Sequence, residues 1–193
     1  MKSTQTLLTV MLSLVFLVAG TSCVTGASAK SPVSVKVDWP EFMARQDLIW
    51  ETLPMEFDYG AFMGNGMLGS MIYQDGPNRL RWEMGRSDVT EHRRDNARLP
   101  IGGLVLTTQG KIEDGTMRLD LWNAEVTGIV DTDKGRITFR TFIHTEDMIL
   151  FIDVKTTGDE KDVKVSWDPR ACQDFRNAKR FNDPPNPPAV SDV

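Results

Sequence analysis

Over much of the chain, apolar residues recur at every second position. Val33, Val35 and Val37 alternate with Ser34 and Lys36, and Leu80, Trp82 and Met84 alternate with Arg81 and Glu83. Met117, Leu119 and Leu121 enclose Arg118 and Asp120, and Ile137, Phe139, Thr141 and Ile143 enclose Thr138 and Arg140. Met148, Leu150, Ile152 and Val154 continue the pattern, followed by Val163, Val165 and Trp167. A period of two residues places one side of a strand in a core and the other in water or against another layer. Trp82 and Trp167 share the apolar side, so both are expected in the core. Turn-forming clusters separate the runs: Asp75-Gly76-Pro77-Asn78, Glu113-Asp114-Gly115, Asp131-Thr132-Asp133-Lys134-Gly135 and Thr157-Gly158-Asp159-Glu160. No segment between them carries a helical period. Short strands joined by such turns predict an all-β protein, a twisted antiparallel β-sandwich. Leu119 to Val154 reads most simply as a meander of three long strands.

The stretch GAFMGNGMLGSMIY, residues 60–73, breaks the alternation. Gly64-Asn65-Gly66 supplies residues that tolerate the positive φ of a sharp turn. Met67 to Tyr73 carries apolar side chains at both parities and predicts a strand covered on both faces, with Leu68 or Met71 in the core. Gly69 inside it predicts a bulge or a close backbone approach.

The two ends follow different rules. Lys2 precedes an apolar stretch from Leu7 to Val18, too short and too early for an ordinary spanning helix, and Ala27-Ser28-Ala29 forms an A-x-A cleavage site. Residues 1–29 therefore read as a signal peptide, which implies export to the periplasm or the extracellular space. Gly20-Thr21-Ser22 before Cys23 offers an alternative, a lipoprotein site with a lipid anchor at Cys23. Residues 30–181 would form the sandwich. The segment 182–193 is rich in proline, which lacks the N–H a sheet ladder needs, and reads as an extended tail.

Composition narrows the chemistry. The net charge of -5 and the absence of a Lys/Arg run exclude a nucleic-acid partner of the usual basic kind. The only cysteines are Cys23 and Cys172, so a disulfide-stapled mini-domain is excluded, and Cys172 reads as structural or incidental. With two histidines, His92 and His144, far apart in sequence, a metal centre is not expected; His144 reads as a surface or second-layer residue near a strand end. No Walker loop, G-x-S-x-G elbow, C-x-x-C or H-E-x-x-H motif occurs, and no cofactor is implied.

Two features remain as candidates. The segment from Trp82 to Asp95 gathers Glu83, Arg86, Asp88, Glu91 and His92; paired carboxylates there could serve glycosidic acid/base work, or the segment is a solvated loop whose charges cancel. Trp122 falls on the polar side of its strand, together with Arg118 and Asp120, and is the tryptophan best placed for a sugar ring or a second interface. On the same reasoning Trp122, Ile149 and Phe151 are expected to form an exposed apolar surface, unless a second sheet covers them.

An ordered series of motifs is more specific. Trp50-Glu51-Thr52-Leu53-Pro54 is followed by Gly64-Asn65-Gly66-Met67-Leu68-Gly69, then by the hairpin residues Asn78-Arg79-Leu80 and a polar Ser87-Asp88-Val89 loop. Arg98-Leu99-Pro100-Ile101-Gly102 and the run from Met117 to Glu125 extend it. Over about residues 39–190 the series resembles the N-terminal domain of glycoside hydrolase family 95, the α-L-fucosidase-like enzymes and their bacterial relatives. The resemblance implies a two-sheet supersandwich that precedes an (α/α)6 barrel carrying the catalytic carboxylate. No catalytic residue of the family falls on a position of this chain. The structural turn motif falls on Gly64, Asn65, Gly66 and Gly69, where it would shape the sandwich and face the barrel. The expectation is a non-catalytic sandwich domain of such an enzyme, shortened or interrupted. The alternatives are a stand-alone exported carbohydrate-binding protein using Trp122 and the segment from Glu83, or an inert fragment of an interrupted gene.

Overall fold

A computed structural model describes residues 35–91 and 97–173, together with residues 179 and 188. The leader with Cys23, residue His92 and nearly all of the proline-rich tail lie outside the described residues. The described residues from Val37 onward belong to one compact unit, Val37–Val193.

Alternating residues build two antiparallel five-stranded sheets packed as a β-sandwich. One sheet has the order β1 (Leu48–Trp50), β6 (Ile112–Asp120), β7 (Glu125–Thr132), β8 (Gly135–Ile143), β9 (Leu150–Gly158). The other has the order β10 (Lys164–Asp168), β5 (Arg98–Thr107), β4 (Arg79–Thr90), β3 (Leu68–Gln74), β2 (Ala61–Gly64). Between Leu119 and Val154 the expected three-strand meander is in fact one of four strands, because β7 lies between β6 and β8.

The core lies between the inward rows. Leu68 and Ile72 of β3, Leu80 and Trp82 of β4, Met117 and Leu119 of β6, Val126 and Val130 of β7, and Ile137, Phe139 and Ile143 of β8 are all buried in one cluster. Burying such a side chain contributes about 1.5–3 kcal/mol relative to leaving it in water. The sheets meet where the Trp82 and Phe139 rings pack edge to face at 5.4 Å. That contact explains Gly128: a Cβ there would lie 2.3 Å from the Phe139 ring, so the strand must carry a glycine for the phenyl group to lie over it.

Several local expectations are corrected. Residues 35–37 form no strand; they lead into a short helix α1 (Trp39–Ala44), which Asp38 caps by accepting the Glu41 N–H at 3.2 Å and which has Pro40 in its first turn. Glu113-Asp114-Gly115 is not a turn. It lies inside β6, whose register shifts between Ile112 and Asp114. Gly69 makes no bulge, and a Cβ there would meet only the Met63 carbonyl at an ordinary 3.7 Å. The irregularity falls one strand further on, where Met84 pairs with Gly102 but Gly85 with Pro100. The strand from Leu68 buries Leu68 and Ile72, whereas Met71 on its other face is half-buried rather than in the core. Trp82 is buried, but Trp167, on the edge strand β10, is half-exposed. The expectation that no proline of the tail enters a ladder meets one described residue, Pro188, which makes an isolated bridge with Ala171.

One carboxylate ties the turns at the far end of the sandwich. Glu160 is fully covered and accepts from the Gln109 N–H at 2.8 Å, the Gly110 N–H at 2.7 Å and the Thr132 hydroxyl at 2.6 Å. It thereby joins the β5–β6 connection, the β7–β8 turn and the segment after β9. Desolvation pushes its carboxyl up, but the hydrogen bonds and the Lys134 charge outweigh that, and it titrates below the ordinary glutamate range. A lowered folded-state pKa contributes stability above the unfolded-state pKa, and that stability disappears as pH falls through the folded value. Glu160→Gln is therefore expected to lower stability by about 1–3 kcal/mol at neutral pH. The deficit should shrink as wild type and variant are compared at progressively more acidic pH, which denaturant midpoints at a series of pH values would read directly.

Candidate functional site

The polar segment expected as a loop is the second half of a strand. β4 runs on through Ser87-Asp88-Val89 to Thr90. Its pairing with β5 stops at Gly85 and resumes only at Thr90, while Arg86 pairs with Leu68 of β3 and the Ser87 N–H donates to the Met67 carbonyl at 2.8 Å. Paired on one side only, these residues need no apolar alternation, which is why the sequence pattern hid them.

This splaying carries β4 to the Gly64-Asn65-Gly66 turn. The Ser87 hydroxyl donates to the Gly66 carbonyl at 2.6 Å. Gly66 has φ +92°, a left-handed value that a side chain opposes. Asn65 uses its whole amide. Its Oδ1 accepts from Met67 N–H at 3.0 Å and Leu68 N–H at 2.9 Å. Its Nδ2 donates to the carbonyls of His144 at 2.9 Å and Asp147 at 3.2 Å, both in the β8–β9 connection of the opposite sheet. The turn thus closes a hairpin and fastens one sheet to the other. His144 stands at that connection, half-exposed, with Nδ1 3.1 Å from an Asp147 oxygen.

Alternate turns of a meander lie at the same end, so the β6–β7 turn sits with the β8–β9 connection at the Asn65 end. Asp120 holds this turn by accepting the Asn123 N–H and side-chain amide, each at 2.9 Å, and these bonds lower its carboxyl below the ordinary range. Trp122 projects from it 52% exposed. On β9 and just before it, Phe151 is 49% and Ile149 55% exposed, and Phe151 stacks on Phe142 at 5.2 Å. These three expected surface residues are open rather than covered by a second layer.

A groove of about 770 Å3 lies beside this end, over β2 to β5. Gly64, Gly69 and Gly85 pair in a row across three strands and leave part of it without side chains. Phe57, Phe62, Met71, Tyr73, Glu83 and Arg170 line it further along. Of the candidates named from sequence, the groove brings together Gly64, Gly66, Gly69, Glu83 and Arg86. Asp88 reaches it only through Arg86, with which it makes a two-point ion pair at 3.0 and 2.7 Å. Hydrogen bonding between the two lowers the Asp88 carboxyl and raises the Arg86 guanidinium. Trp122 does not line the groove, and His92 lies outside the described residues.

Sequence reasoning missed the groove's charge network. Arg81, whose parity put it in water or against another layer, is 2% exposed. Its Nε donates to Asp75 at 2.8 Å, its Nη1 to Glu83 at 3.2 Å and its Nη2 to Asp168. Arg170 lies 3.2 Å from the same Glu83 oxygen, and the Tyr73 hydroxyl donates to it at 3.5 Å. Arg79 joins Asp75 at 3.4 Å and Asp168 at 3.7 Å. Desolvation at Asp75 pushes its carboxyl up, yet Arg81 and the neighbouring arginines bring it below the ordinary range. Burial, then the Glu83 charge, raise the Tyr73 phenol. Three arginines and three acids balance, so a buried guanidinium is tolerated. The one sequence signal was an arginine between Leu80 and Trp82 with acids at positions 75 and 83 around it.

Chemically, Glu83 is the one carboxylate that lines the groove and it is already paired with Arg81 and Arg170, so the groove offers hydrogen-bonding groups and ring faces rather than two free carboxylates facing each other. Among the described residues no group of three or more His, Cys, Asp and Glu side chains is placed to hold a metal ion.

No family model and no curated protein matches the chain.

The turn supplies a test. Gly66→Val should cost about 1–3 kcal/mol because its φ is positive, although no atom lies within 4 Å of the added Cβ. Asn65→Asp keeps the acceptor and removes both donors to the opposite sheet, so it should cost about 1–3 kcal/mol as well. Urea midpoints unchanged in both variants would mean that the turn does not hold the sheets together.

Proposed function

We propose that this chain is the non-catalytic β-sandwich of an exported, carbohydrate-active glycoside hydrolase of the α-L-fucosidase-like type. Its Asn65 end is the surface that meets an (α/α)6 catalytic domain. The observation that carries the reading is the company kept at that end. The motif residues Gly64, Asn65 and Gly66, and the Ser87-Asp88-Val89 segment, sit beside exposed Trp122, Ile149 and Phe151. Large apolar side chains exposed together at one end are the kind of surface that marks an interaction site. The supersandwich family, export and the lipid anchor at Cys23 as its alternative belong to the same proposal and derive from the sequence.

The groove favours a second reading, a stand-alone exported carbohydrate-binding protein. Exposed ring faces at Phe57 and Phe62, with Arg170 and Glu83 lining the same groove, suit a hydroxyl-rich ligand. Because Trp122 lies outside the groove, that reading rests on the sheet face and not on the tryptophan.

In either reading the purified chain is expected to hydrolyse no aryl α-L-fucoside or other aryl glycoside above background. Turnover that survives repurification and is lost in Glu83→Gln or Asp88→Asn would overturn the non-catalytic assignment. The docking reading further expects a hydrophobic dye to bind the purified chain, with the signal reduced in a Trp122→Ser/Ile149→Ser double variant. Absence of dye binding, together with saturable binding of L-fucose or a fucosyl oligosaccharide that Glu83→Gln weakens, would put the carbohydrate-binding reading first.

A further inference from the structure

The free side of β9 carries the second surface. Among the described residues β9 is the last strand of its sheet, with β8 on one side and no strand on the other. Its inward side chains Ile152, Val154 and Thr156 are only half-buried, whereas Ile137, Phe139, Thr141 and Ile143 on β8 are buried. The core thus opens along this edge, and the strand has no proline and no bulge in its pairing with β8, so Asp153 and Lys155 on its outer face are the features that restrict what can pair with it.

The register fixes which backbone groups face outward. The His144 N–H donates to the Ile149 carbonyl at 3.0 Å and the Asp159 N–H to the Lys134 carbonyl at 2.8 Å. Hydrogen-bonded and non-hydrogen-bonded pairs alternate in an antiparallel ladder. Odd-numbered residues of β9 therefore bond to β8, and Leu150, Ile152, Val154, Thr156 and Gly158 turn their N–H and C=O groups to the open edge.

We propose that this edge pairs antiparallel with β9 of a second copy of the chain, about a two-fold axis at Val154. Charge selects both the occupant and the register. With the axis at Val154, Asp153 of each copy lies opposite Lys155 of the other on the outer face, Val154 meets Val154, and Ile152 lies opposite Thr156. Moving the axis to Asp153 sets Asp153 against itself, and moving it to Lys155 sets Lys155 against itself. An axis at Thr156 brings Asp153 against Asp159, and one at Ile152 leaves Lys155 opposite Ile149. Like charges directly opposite destabilise a pair, and opposite charges support it. The Val154 register also matches edge-facing residues to edge-facing residues along the strand, so both ladders close and the half-buried Ile152 and Val154 gain cover. Pairing of this kind is isologous and self-limiting, as closed dimers require.

Sedimentation equilibrium on the purified chain tests the proposal, with hydrogen exchange as a second readout. Wild type should dimerise, and the Ile152, Val154 and Thr156 amides should gain protection as concentration rises. Lys155→Asp changes an exposed side chain, so it should leave the fold intact and weaken the dimer by about tenfold or more. The double variant Asp153→Lys/Lys155→Asp should restore the dimer. A wild-type chain that stays monomeric overturns the proposal, as does a dimer indifferent to Lys155→Asp or one not recovered by the charge exchange. None of these outcomes depends on the glycoside-hydrolase reading.

Discussion

A sandwich of two sheets needs something besides apolar contact to fix one sheet on the other, because the hydrophobic effect is non-directional. Here the amide of Asn65 supplies that direction. It holds its own turn through Met67 and Leu68 and reaches the opposite sheet through the carbonyls of His144 and Asp147. Few other side chains could do so, since the position requires an acceptor and two donors on one short planar group. Aspartate lacks the donors, and glutamine would place them one methylene too far out. Once the turn is fixed, Gly66 offers its carbonyl to Ser87, β4 is drawn away from β5, and the groove and the apolar end take their places.

The same splaying of β4 separates two kinds of polar residue. Arg86 and Asp88 lie on the one-sided part of the strand and pair with each other in solvent, where an ion pair contributes little. Arg81 and Glu83 lie on the part paired on both sides, where the guanidinium is buried and each of its nitrogens finds a carboxylate. Removing one partner there would strand a buried charge, a far larger effect than removing the pair as a whole. The network is so fully committed to itself that Asp75, Glu83 and Asp168 each hold at least one arginine partner.

Strands with clean alternation were legible in the sequence, and the reasons for each failure are specific. β7 was missed because Gly128 occupies an inward position where Phe139 supplies the bulk from the neighbouring strand. β5 was obscured by Pro100, Gly102 and Gly103, which serve a register shift and close contacts with Trp167 and Trp82. Parity left Arg81 either in water or against another layer, because it reports a side of the sheet and not what lies on it. The alternation of Val33, Val35 and Val37 was real, but Asp38 and Pro40 cap a helix directly after it, and local capping prevailed over a short apolar pattern. The Gly-Asn-Gly turn was legible as a turn; its reach to the opposite sheet was not, because the partners are backbone carbonyls 79 and 82 residues away.

The two exposed surfaces do not compete. Trp122 and Ile149 lie at the Asn65 end, whereas the proposed two-fold axis passes through Val154, in the middle of β9. Antiparallel pairing about that axis sends the two Asn65 ends in opposite directions along the joined sheet. Phe151, the residue shared by both surfaces, faces Thr157 of the second copy in that arrangement and keeps its ring on the outer face against Phe142. Pairing at the edge therefore consumes backbone groups and the half-buried inward side chains, and it leaves the apolar end open. The proposed second copy at β9 and the proposed catalytic domain at the Asn65 end would be held through different physical properties: unpaired hydrogen-bonding groups in the first case, exposed apolar side chains in the second.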